Sequence, residues 1–75
     1  METVKNQKTG VYYVKYNGQI EQVRLFEINN VKMLCLFEHP DKIAPIPIDS
    51  PSFGACTIDE VVNKFDAKDL EITNI

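Results

Sequence analysis

Tryptophan is absent from this chain, arginine and histidine occur once each, and there are only two cysteines. Each scarcity excludes some chemistry. Cys35 and Cys56 form no CxxC, so the close-spaced ligand pairs that build structural zinc sites are missing. Small domains held by disulfides usually carry more cysteines than this, so both thiols are expected free, in a reducing cytoplasm. Gly10, Gly18 and Gly54 are too scattered to form a glycine-rich phosphate loop. No apolar run approaches the roughly 20 residues of a membrane-spanning helix, and no apolar leader follows Met1. Neither a membrane partner nor a cofactor is expected.

The net charge of −3 and a pI near 4.9 disfavour non-specific attraction to nucleic acid. The charge is uneven. Residues 1–40 hold five Lys/Arg and four Asp/Glu, whereas residues 41–75 hold three Lys and seven Asp/Glu. An acidic surface formed by Asp66, Asp69 and Glu71 could imitate nucleic acid, but ordinary solvated carboxylates explain the same excess.

Candidate catalytic groups are few. Cys35 and His39 are four residues apart, yet Cys35 lies between Leu34 and Leu36, where a small buried thiol is inert. Adding Asp41 and Cys56 gives a metal set with one close pair only. Asp59 and Glu60 are adjacent and would diverge on a helix, so they do not form an acid–base pair. No catalytic residue, metal ligand or enzyme activity is predicted.

What the chain does have is strand and turn chemistry. Residues 1–8 are polar and aperiodic and read as a frayed or edge segment. Residues 9–16 are rich in Val, Tyr and Thr and read as a strand. Asn17-Gly18 is a strong hairpin signal, because a type I′ turn needs positive φ at both central positions. A second strand over 19–28 leads to Asn29-Asn30, another candidate turn, and a third strand over 31–38. Two-residue loops fix the register. Tyr12 should face Val23, Val14 face Glu21, Phe26 face Met33, and Glu27 face Lys32 in a favourable charge pair.

Beyond this meander, His39-Pro40-Asp41 reads as a turn. Residues 42–48 interleave Ile with Pro45 and Pro47, which confines them to an edge strand or an extended arm. Residues 49–52 form a further turn. Thr57 with Glu60 is a capping box, and Ile58, Val61, Val62 and Phe65 make one apolar stripe of about two turns. Residues 68–73 read as a final strand. The predicted fold is one α+β domain over residues 1–75. It comprises a three-stranded antiparallel meander, an irregular fourth strand, one short helix and a C-terminal strand.

The register gives the sheet two apolar faces. One carries Tyr12, Val14, Val23, Leu25, Leu34 and Leu36. The other carries Val11, Tyr13, Ile20, Phe26, Ile28, Val31, Met33, Cys35 and Phe37. A two-turn helix covers part of one. Either the sheet closes as a small SH3-like barrel, or part of a face is an interface. Phe26, Ile28, Met33 and Phe37 are the predicted core of that interface. The function expected first is a non-enzymatic protein-binding module, an inhibitor or adaptor acting on a larger complex, with self-pairing into a homodimer as a related outcome. The second expectation is a nucleic-acid-binding small barrel, in which Tyr13, Lys15 and Tyr16 offer aromatics interleaved with charge.

Overall fold

The computed structural model of the protein describes residues 1–37 and 44–75. The expected turn at His39-Pro40-Asp41 therefore lies outside the described residues, as do Lys42 and Ile43. The chain forms seven strands and one helix in the order β1 (Glu2–Asn6), β2 (Val11–Tyr16), β3 (Gln19–Ile28), β4 (Val31–Leu36), β5 (Ile46–Pro47), β6 (Phe53–Gly54), α1 (Ile58–Phe65) and β7 (Leu70–Asn74).

The meander β2–β3–β4 has the register that its turns dictate. Tyr12 faces Val23, Val14 faces Glu21, Phe26 faces Met33 and Glu27 faces Lys32. Asn17 and Gly18 have φ of 52° and 83°, and Asn29 and Asn30 have 53° and 66°. Both loops thus adopt the left-handed backbone that a two-residue hairpin requires, and Asn and Gly adopt it at least cost.

Residues 1–8 are not frayed. β1 lies inside the sheet, between β2 and β7, and the full order is β5-β4-β3-β2-β1-β7. Thr3 and Val4 are fully buried. The polar composition misleads because the fold buries both Thr3 and Asn6, and it supplies partners for the Asn6 side chain. Asn6 donates from Nδ2 to the Lys68 carbonyl at 2.9 Å, and its Oδ1 accepts from the amides of Lys8 and Thr9. The side chain thereby closes the turn into β2 and fixes the approach to β7.

The strand order has two ends, and β5 and β7 are not hydrogen-bonded to each other. The sheet is open, so of the two arrangements expected, SH3-like closure is not the one formed. The arm from β5 to β6 comes close to closing the meander. β5 pairs with β4 on one side, and β6 pairs with Lys15–Tyr16 of β2 on the other. The arm is held at its ends by Ile48 N–H to Lys32 O and Asn17 N–H to Ser52 O. It turns in between, at Pro47–Ser50 and Ser50–Phe53, so no continuous ladder forms.

Each face of the sheet has its own core. On one, Val14, Val23, Leu34 and Leu36 are buried beneath Ile48 and Phe53 of the arm, with Tyr12, Tyr16, Leu25 and Met1 around them. On the other, Val4, Val11 and Tyr13 pack against Cys56 and Val61, flanked by Ile58, Phe65 and Leu70. α1 is the cover for this second core. Thr57 caps it, accepting from the Glu60 amide at 3.2 Å, and Asp66 ends it with φ 48°. Lys64 in its last turn donates to the Ile20 carbonyl at 2.8 Å and ties the helix to the start of β3.

Candidate functional site

The helix lies over β1, β2 and β7 and does not reach the outer half of its face. On β3 and β4 that half presents paired positions: Arg24 beside Cys35, Phe26 beside Met33, Ile28 beside Val31. Phe37 extends the row, its amide donating to Gln22 O at 2.8 Å. Exposure decides what this surface is. Ile28 is 40 % exposed, Val31 45 % and Phe37 44 %, while Phe26, Met33 and Cys35 are half-buried. Among the described residues no element packs over them. The four residues singled out in the sequence, Phe26, Ile28, Met33 and Phe37, thus share one surface, and Val31, Arg24 and Cys35 complete it.

At the Phe37 end the surface is concave. A cavity of about 260 Å³ is lined, among the described residues, by Arg24, Cys35, Leu36 and Phe37. The Arg24 guanidinium stacks 4.9 Å from the centre of the Phe37 ring. Such stacking holds the one arginine of the chain at the rim of an apolar hollow, where it can still meet a carboxylate. Sequence reasoning passed over Arg24, although the hairpin register alone places it opposite Cys35.

No protein-family model, curated protein or solved structure matches this chain. The assignment of a role therefore rests on geometry alone.

The other candidate residues are engaged inside the domain. Tyr13 is 4 % exposed and packs on Phe65 with ring centres 5.2 Å apart. Lys15 pairs with Glu60 at 2.9 Å, and Tyr16 packs on Phe53 on the opposite face of the sheet. These three side chains do not form one stacking platform. Lys15 holds the Glu60 carboxyl below its ordinary range, chiefly by its hydrogen bond. The acidic trio is also accounted for locally. Asp66 and Asp69 occupy left-handed backbone positions that Asp tolerates, Asp69 pairs with Lys8 at 3.0 Å, and Glu71 accepts from Gln7 at 2.7 Å.

Both cysteines are free thiols. Cys56 is buried, donates to the Tyr13 carbonyl at 3.1 Å, and has its pKa raised above 9.0, first by desolvation. His39 and Asp41, the proposed companions of Cys35, lie outside the described residues. Among the described residues no cluster of three or more His, Cys, Asp or Glu could hold a metal ion. The thiols should differ sharply in reactivity. A water-soluble thiol reagent at neutral pH should modify Cys35 first and Cys56 only at the rate of unfolding, because the thiolate is the nucleophile and burial suppresses it. Equal rates at the two sites, read by mass spectrometry, would contradict the burial of Cys56.

Proposed function

We propose that this chain is a non-enzymatic protein-binding module whose binding surface is the outer face of β3–β4. The observation that carries the reading is the contiguous apolar patch of Phe26, Ile28, Val31, Met33 and Phe37, left without cover among the described residues. Contiguous exposed apolar area of this kind marks interaction sites far more often than isolated surface apolar residues do. The partner's complement is an apolar side chain that enters the cavity beside Phe37, with a carboxylate placed for Arg24. Small size, and the lack of a catalytic constellation among the described residues, fit an inhibitor or adaptor of a larger complex. Free thiols favour a reducing compartment, the cytoplasm. No described helix is long and apolar enough to cross a membrane.

The test uses a paired variant, Met33→Glu with Phe37→Asp. Both side chains lie on the patch and outside the two buried cores. A partner captured from the native host by the unaltered chain should bind the variant at least about 30-fold more weakly, the effect of losing a central interface anchor. Circular dichroism should be unchanged. Unaltered affinity in a folded variant would reject this surface. Self-pairing through the same patch is the alternative occupant, and it would show as a dimer that this variant abolishes.

A further inference from the structure

The two edges of the sheet differ in a way that bears on association. β5, at one edge, has two residues, with Pro45 before it and Pro47 within it. Prolines on a short edge strand block pairing with another chain. β7, at the other edge, has five residues, Leu-Glu-Ile-Thr-Asn, with neither proline nor lysine. Ile72, at its centre, is 51 % exposed.

The hydrogen-bond pattern shows which groups the β7 edge presents. β1 and β7 are antiparallel, with Val4 opposite Ile72 and Thr3 opposite Thr73. In the same register Gln7 N–H donates to Asp69 O, and Ile75 N–H to Met1 O. The odd-numbered residues of β7 therefore direct their backbone groups to β1. Leu70, Ile72 and Asn74 direct theirs away, because alternate residues of a strand bond to opposite neighbours. Three N–H and three C=O groups stand in a row along the outer edge, and among the described residues no further strand pairs there.

We infer that this edge is a second interaction site, which pairs antiparallel with β7 of a second copy of the same chain about a two-fold axis at Ile72. That axis sets Leu70 opposite the second copy's Asn74 and Ile72 opposite its own counterpart. All three outward N–H and C=O groups of each copy are then matched. Charge selects the same axis. It places Glu71 opposite a Thr73 hydroxyl in both directions. Moving the axis to Glu71 would oppose two like charges, and moving it to Thr73 would set Leu70 opposite a position beyond Asn74, where β7 ends. The contact is small, in the class of weak and transient interfaces. It is separate from the β3–β4 patch and does not depend on the reading of that patch.

The experiment is a concentration series on the full chain, followed by sedimentation and by amide hydrogen exchange in NMR. The amides of Leu70, Ile72 and Asn74 should slow with concentration in proportion to the remaining monomer. The slowing is about fivefold when total protein is ~10 times Kd, by mass action. The amides of Glu71 and Thr73, already bonded to β1, should change much less. Ile72→Pro removes an outward N–H and no bond to β1, so it should give a folded monomer. Ile72→Lys leaves the backbone intact and should also weaken pairing, and it serves if the proline variant does not fold. Concentration-independent exchange at all three amides up to about 1 mM, the weak end of specific association, would overturn the inference. So would a dimer that survives in folded Ile72→Pro or Ile72→Lys, or one lost only on Met33→Glu, which would assign self-association to the other face.

Discussion

Replacement of Leu34 by Ala should remove a large part of the stability of this protein. Leu34 is 1 % exposed and is the largest of the fully buried side chains. It sits opposite Leu25 on the face closed by the arm, in the cluster that includes Ile48 and Phe53. Truncating a buried leucine typically costs about 2–5 kcal/mol, the lost transfer energy plus a residual cavity. A chain of this length has about 4–11 kcal/mol in total at typical per-residue values. Urea unfolding followed by circular dichroism should therefore show a large fall in midpoint with little change in slope. Val31→Ala, on the same strand but 45 % exposed, should stay within about 0.5 kcal/mol of the parent. If the two variants lost equal stability, the assignment of buried and exposed faces on β4 would be wrong.

The second expected effect has the opposite sign. Thr3 is fully buried in β1, and among the described residues its Oγ1 has no hydrogen-bond partner. A buried hydroxyl without a partner costs about 1–3 kcal/mol, and an apolar group of the same shape does not carry that cost. Valine has the branched shape of threonine and the same preference for strands. Thr3→Val should therefore raise stability by about 1–2 kcal/mol, a clear rise in melting temperature for a domain of this size. Thr3→Ser, which keeps the hydroxyl and removes the methyl, should lower it. A destabilised valine variant would mean that Oγ1 is satisfied after all.

Leu34 was legible in the sequence and Thr3 was not, for physical reasons. The meander announces itself through Asn17-Gly18 and Asn29-Asn30. Two-residue loops leave one register, and that register assigns Leu34 to its face and the pair Phe26 and Met33 to the other. The helix is equally local: a Thr57 cap, acids in the first turn and one apolar stripe. β1 has no such signal. Of its two buried polar residues, one depends on a partner far along the chain and the other has none among the described residues. Asn6 is satisfied by the Lys68 carbonyl, 62 positions away. β6 is two residues long and exists because the arm happens to reach the Lys15–Tyr16 edge of β2. The same arm decides which face is covered on β3 and β4. Its prolines indicated an edge, but only the tertiary path shows Ile48 and Phe53 lying on the Leu34 side. The hairpin register alone sets the interface candidates on one face, while the companion Arg24 needed the geometry of Phe37 to stand out.

The ladder between β1 and β7 has a consequence for how the molecule assembles. Its partners, from Glu2 with Asn74 to Asn6 with Leu70, are separated by nearly the whole chain. The two hairpins of the meander close loops of two residues, so they can form early and at little entropic cost. β7 cannot dock until that long loop has been closed. Folding should thus proceed from the middle of the sequence outward, with the terminal ladder among the last contacts made. Substitutions in β7 should then mainly speed unfolding and leave the refolding rate near that of the parent.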